Sequence, residues 1–173
     1  KRTPAALDAL VAPKNVKMLT DQNVFTEKEL FSRYNTKLEQ YITSLEIEAG
    51  TFCDLVETRV LPAAITYQQQ LLGVVKDFKE LKSFISETGL DYEKDLLERV
   101  SSHIANLYIG CQAVRNTVKK AEEMDDLPKK AKYFADHVVD LLASVRESAD
   151  ALEGLVPDDL WPLPKYSEML FVM

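Results

Sequence analysis

From Leu30 to Ile85, apolar side chains recur at steps of three and four residues: Leu30, Tyr34, Leu38, Tyr41, Leu45, Ala49, Phe52, Val56, Val60, Ala63, Tyr67, Leu71, Val74, Phe78, Leu81 and Ile85. That spacing is one face of an α-helix. An unbroken helix of this span is on the order of 80 Å long, too long to be straight within a compact domain. Two residues offer an interruption, Gly50 and Pro62. Pro62 removes one backbone hydrogen bond and presses its ring on the Thr58 carbonyl, at a cost of roughly 3 kcal/mol. Yet the stripe keeps phase across it, and no Gly, Asn or Ser between Thr51 and Leu72 offers a loop. The sequence therefore predicts a kink at Pro62 rather than a break.

The flanks punctuate this pattern. Thr26-Glu27-Lys28-Glu29 is a capping box, in which Thr26 accepts from the Glu29 amide while the Glu29 side chain reaches back. Residues 1–25 read as an arm. Thr3 then Pro4 is an N-cap followed by the favoured first helical position, predicting a short helix through about Val11 that Pro13 ends. A second short turn is expected around Asn15 to Leu19. Ser86-Glu87-Thr88-Gly89 reads as a loop, and Asp91 as the cap of a helix with the stripe Leu97, Val100, Ile104, Leu107, Cys111, Val114, Val118 and Ala121. Asp125-Asp126-Leu127-Pro128 forms the next turn. The last helix carries Phe134, Val138, Leu141, Val145, Ala149 and Leu152 and stops at Gly154, with Pro157 beyond. Long amphipathic segments joined by short turns bury their stripes by packing antiparallel. The predicted class is all-α: an antiparallel bundle of three to four long helices over residues 26–156, with the N-terminal arm and a Pro/aromatic tail, residues 157–173.

Composition agrees. The chain has 173 residues, 46% of them apolar and only 5 glycines, which suits helices better than a turn-rich β domain. A net charge of −7 opposes phosphate binding, so no nucleic-acid partner is expected. No run of about 18 apolar residues provides a membrane span. No charged and apolar leader opens the chain, so a cytoplasmic protein is expected. Cys53 and Cys111 are the only cysteines. Both sit on apolar stripes, as buried reduced core residues do.

Catalytic signals are sparse. A di-iron bundle needs Glu-x-x-His on two helices, and neither histidine, His103 or His137, follows a glutamate by three. Each lies beside an apolar stripe, as a satisfied boundary histidine does. Asp140, three residues after His137, is a weak hint of a ligand pair. There is no GxGxxG, no GxxxxGK[ST] and no GxSxG. The acidic run Glu122 to Asp126 reads as a solvated helix end and turn. Tyr34, Tyr41 and Tyr67 follow the buried stripe. Gly73 and Gly110, inside helical patterns, point to close helix approach. No catalytic, cofactor-binding or metal-ligating residue is assigned.

The tail is unusual. Asp158 to Met173 reads DDLWPLPKYSEMLFVM, with the only tryptophan, Trp161, two prolines and an apolar finish. Prolines reduce the entropy lost when such a segment docks. Leu160-Trp161-Pro162-Leu163-Pro164-Lys165-Tyr166-Ser167-Glu168-Met169-Leu170-Phe171 closely resembles the carboxyl terminus of type III glutamine synthetases. Thr3-Pro4-Ala5-Ala6-Leu7-Asp8-Ala9-Leu10 is similar to the segment that follows their catalytic core. Leu38-Glu39-Gln40-Tyr41 through Ile47-Glu48-Ala49, Leu61-Pro62-Ala63-Ala64 with Tyr67, and Ala149-Asp150 with Leu152-Glu153 resemble the helices between. The resemblance covers about residues 3–171.

That resemblance implies a parent enzyme that joins ammonia to glutamate using ATP and Mg (or Mn), built as a ring-shaped homo-oligomer. It places the metal, nucleotide and glutamate ligands in an upstream catalytic domain. No residue here matches a catalytic position, and no cofactor is expected in this chain. The expected role is structural: packing against its own catalytic domain and neighbouring subunits. Trp161, Pro162, Tyr166, Leu170 and Phe171 are the candidate contact residues. Whether the tail docks on its own bundle or on another part of the enzyme stays open. A free-standing helical adaptor for a partner protein is the alternative, and a metal-storing bundle is a third, weakened reading.

Overall fold

The computed structural model describes residues 2–80 and 90–170, and the side chains of all of these but Lys79, Glu80, Tyr166 and Ser167. It is an all-α helical bundle, with no strand among the described residues. The helices are α1 (Thr3–Leu7), α2 (Pro13–Asp21), α3 (Glu27–Leu55), α4 (Leu61–Glu80), α5 (Asp91–Glu122), α6 (Leu127–Tyr133), α7 (Val139–Leu155) and α8 (Tyr166–Met169). The loop expected at Ser86–Gly89 and the stripe members Leu81 and Ile85 lie outside the described residues.

Between α3 and α4 the backbone stays right-handed helical through Leu55 and Leu61, but Val56–Val60 form a π turn in which the Leu61 amide donates to the Val56 carbonyl. A π turn closes each ring over five residues instead of four and so carries one extra residue. It lies immediately before Pro62, where an ordinary turn would collide with the proline ring. The Thr58 hydroxyl donates to the Asp54 carbonyl at 2.5 Å. The expected kink is therefore a widened turn. A second one, Phe134–Val138, joins α6 to α7 and was not anticipated.

The chain separates into two compact units: Lys1–Thr51 with Ala113–Leu142, and Phe52–Gln112 with Ala143–Met173. In the first unit, Leu30, Tyr34, Leu38, Ile42, Leu45 and Ala49 of α3 are buried, as are Val114 and Ala121 of α5 and Ala131, Phe134 and Val138. In the second, Cys53, Val56, Val60, Ala64, Leu71 and Val75 are buried, with Leu96, Val100, Leu107 and Cys111 of α5 and Leu152 of α7. Both cysteines are buried, and the Cys53 thiol lies 3.8 Å from the Cys111 carbonyl oxygen.

Several expectations need correction. Ile42, Cys53, Ala64 and Val75 fill core positions expected of Tyr41, Phe52, Ala63 and Val74; the first three of those are half-buried, and Val74 is 40% exposed. Each pair is two adjacent apolar residues 100° apart around the helix, and spacing alone does not say which one points inward. α1 ends at Leu7, not Val11, and Arg2 rather than Thr3 is its N-cap. Pro13 opens α2 instead of closing α1, because a first-turn proline forgoes an amide that has no partner anyway. α2 is stopped by Asn23 at φ 53°, where the Val24 amide returns to the Leu19 carbonyl. Gly154 lies inside α7, and no described glycine has positive φ.

The Thr26–Glu29 capping box forms as predicted: the Thr26 amide donates to Glu29 Oε2 at 2.8 Å and the Glu29 amide to Thr26 Oγ1 at 3.3 Å. Asp126 caps α6 by accepting from the Lys129 amide at 3.0 Å. Gly110 meets the close approach expected of it, since a Cβ there would lie 2.5 Å from Val145 Cγ2. Gly73 has open space around it and does not.

Candidate docking site

The described carboxylates with shifted ionisation belong to the first unit and serve the fold. Asp8 accepts from the Tyr34 hydroxyl at 2.8 Å, and Lys132 Nζ lies 2.8 Å from its other oxygen. The Lys132 contact and then the Tyr34 hydroxyl hold the Asp8 carboxyl below its ordinary range. Burial, with Asp8 beside it, pushes Tyr34 up to about 12. Arg2 donates to both oxygens of Asp140 at 2.6 Å and lies 3.6 Å from Asp136. These contacts latch the arm, with Pro4 of α1 buried and α1 against α6. Glu29 and Asp126 are held low by the helix amides they cap, Thr26 and Lys129. Asp140 thus serves Arg2, while the exposed His137 ring lies tilted against Tyr133, with 4.5 Å between ring centroids. His103 is half-buried, and its Nδ1 has no partner among the described residues. No group of three or more His, Cys, Asp or Glu is placed to hold a metal ion among the described residues.

The tail belongs to the second unit and has two halves. After α7, the Leu160 and Trp161 amides both return to the Pro157 carbonyl, at 3.1 and 3.0 Å, turning the chain back. Trp161 is only 8% exposed. Lys165 then clamps the segment: its Nζ donates to the Val156 carbonyl at 3.0 Å and pairs with Asp158 at 2.5 Å. Beyond it the tail changes character. The Lys165 amide donates to Glu168 Oε2 at 3.2 Å, starting α8. Met169 and Leu170 at its end are 54% and 79% exposed. A groove of about 250 Å³ is lined by Phe52, Leu55, Val56 and Val60 together with Trp161, Leu163, Pro164 and Met169 of the tail. Arg146, Asp150 and Glu153 form its polar rim.

Of the residues expected at a contact, Trp161 is buried, Pro162 is exposed, and Leu170 stands furthest into solvent. Tyr166 is placed on α8 by its backbone, and Phe171 lies outside the described residues. Within this unit Trp161 in the first half of the tail is buried, while Met169 and Leu170 near its end are exposed. Sequence reasoning missed Leu55 and Lys165. Leu55 is off the main stripe yet apolar and 42% exposed, which is a signal for a second face.

The family model described as the glutamine synthetase C-terminal domain matches residues 1–79. A type-3 glutamine synthetase of Dictyostelium discoideum is 31% identical over 173 residues, covering 98% of this chain and 23% of that protein. A glutamine synthetase of Bacteroides fragilis is 29% identical over 169 residues, covering 97% of this chain and 23% of that protein. One of Butyrivibrio fibrisolvens is 26% identical over 171 residues, covering 99% of the chain and 24% of the relative. The chain is a glutamine synthetase C-terminal domain. The family model reaches only through α3 and most of α4, whereas the relatives align through the tail as well. The groove of this C-terminal domain therefore lies in a region shared in length with whole enzymes, of which the chain spans under a quarter.

Proposed function

We propose that this C-terminal domain works in the assembly of a cytoplasmic homo-oligomeric glutamine synthetase, whose upstream part ligates ammonia to glutamate with ATP. The observation that carries the reading is the alignment: 97–99% of this chain, but only 23–24% of each relative. The ATP and divalent metal that the activity needs belong upstream. In support, the carboxylates here with shifted ionisation are committed to helix caps and to the arm latch. No helix among the described residues is long and apolar enough to cross a membrane.

Removing residues 1–173 from the parent enzyme, followed by sedimentation and a glutamine-formation assay, tests this. A smaller oligomer with reduced activity is expected. An unchanged oligomer with full activity would refute an assembly role.

A further inference from the structure

α5 crosses residues 100–114 without one charged side chain, in a chain of which 28% is charged. Its core-facing residues Val100, Leu107, Cys111 and Val114 are buried. The opposite face is open: Ile109 is 64% exposed and Tyr108 beside it 57%. An exposed stretch that is apolar, aromatic and uncharged has the composition of an interface core. About Ile109 this face is symmetric in residue type. Ala105 and Ala113 stand four residues to either side, Ser102 and Asn116 seven, and Glu98 and Lys120 eleven. At 100° per residue all of these lie within about 40° of Ile109. α5 is one continuous helix, so its own spacing sets the face. Each of these residues is exposed except Ala113, which is half-buried. Neither Glu98 nor Lys120 is paired among the described residues.

We infer that this face of α5 pairs with the same face of α5 in a second copy of the chain, antiparallel about a two-fold axis at Ile109. A two-fold contact needs a surface complementary to itself, with residue i against j and j against i. Turned end for end on its copy, the face sets Ile109 against its own counterpart, Ala105 near Ala113, Ser102 near Asn116, and Glu98 near Lys120. Small alanines let the helices approach closely. The serine hydroxyl and asparagine amide are complementary in donor and acceptor, and the outermost pairs join unlike charges. A parallel pairing would instead bring Glu98 to Glu98 and Lys120 to Lys120, which like charge opposes. A net charge of −7 makes two copies repel, so a contact between them is cheapest where the surface is uncharged and its ends are complementary. From Glu98 to Lys120 the helix is about 33 Å long, and a single helix pair of that length falls short of the roughly 1,200 Å² of a stable interface. The pairing therefore rests on the assembly reading above, in which other subunit contacts help hold the copies together.

The test uses the parent enzyme with Ile109 replaced by p-benzoylphenylalanine, irradiated, digested with trypsin and read by mass. The expected product is the tryptic peptide 100–115 joined to its own counterpart, which only two chains can supply. A cross-link from position 109 to any other peptide, or to none, would overturn the pairing. The antiparallel register is tested in the same protein by charge exchange. Glu98→Lys should lower the yield of the self-linked peptide by about threefold or more, and adding Lys120→Glu should restore it. An unchanged yield in the single variant, or no recovery in the double, would overturn the register. Both positions are exposed, and the recovered double variant shows that the fold is kept. Should removal of residues 1–173 break the oligomer while position 109 links elsewhere, the pairing is wrong and the assembly role stands. Should the self-linked peptide form while that removal leaves oligomer and activity unchanged, the pairing stands and the assembly role falls.

Discussion

Gly110 and Gly73 show how little a residue's type says without its surroundings. Both lie in helices, where alanine is favoured over glycine by about 1 kcal/mol. At Gly110 an added Cβ would collide with Val145, a β-branched, 5% exposed side chain with little freedom to move. Gly110→Ala should destabilise the domain by about 1–3 kcal/mol, whereas Gly73→Ala should stabilise it by about 0.5–1 kcal/mol; paired urea unfolding curves check both. Asp8 and Tyr34 set pH limits on the arm latch. The folded-state pKa of Asp8 is lowered, so its stabilisation is present above the unfolded value of about 3.9 and is lost as pH falls through the folded value. Tyr34 is raised to about 12, so its share is present below the unfolded value of about 10 and is lost as pH rises from there towards 12. Asp8→Asn should lower the melting temperature at pH 7 and leave a smaller further loss between pH 5 and 3. An acid profile identical to the parent chain's would show that the latch contributes nothing.

Among the elements, the start of α3 was legible because it rests on local chemistry, whereas the starts of α1 and α2 were misplaced. Thr26 with Glu29 is a sequence signature that needs no tertiary information, and it formed as read. Core faces were legible to within one residue, because Tyr41 and Ile42, or Val74 and Val75, satisfy the same spacing and only packing separates them. The π turns were not legible. Their mark is a pair of adjacent residues both buried, Val60 with Leu61 and Phe134 with Ala135, which a search for steps of three and four passes over. In the sequence, Gly154 and Pro157 end the last helix before the tail, which leaves the tail without an expected part in the bundle's core. Trp161 changes that expectation. Replacing a buried tryptophan by alanine costs about 3–5 kcal/mol, so Trp161→Ala should lower the melting temperature by on the order of 10 °C for a chain of this size. Leu170→Ala, at a side chain 79% exposed, should leave the melt of the 173-residue chain unchanged. A reversed order in thermal melts would exchange the roles of anchor and presented end.

For the whole molecule, the expected outcome is a chain that folds into helices yet forms no glutamine from glutamate, ammonia and ATP with magnesium. Turnover above a blank, lost on substituting a residue of this chain, would contradict it. The candidate site was only partly readable from the sequence, since the tail's apolar residues were visible but the groove wall at Phe52, Leu55 and Val60 is far away along the chain and becomes a neighbour only on folding. The widened turn at Val56–Val60 also bears on how such a chain tolerates changes in length. An extra residue in an ordinary helix turns everything after it by 100°, whereas a π turn absorbs that residue on the spot. Deleting the exposed Arg59 should therefore collapse the π turn to a plain one, which presses the Pro62 ring on the turn before it but leaves Ala64, Leu71 and Val75 facing inward. Deleting Thr36, also exposed, should swing Glu39 towards the position of Leu38 and unfold the first unit. Gaps in this family's alignments are thus expected to fall at the two π turns, where a lost residue costs least.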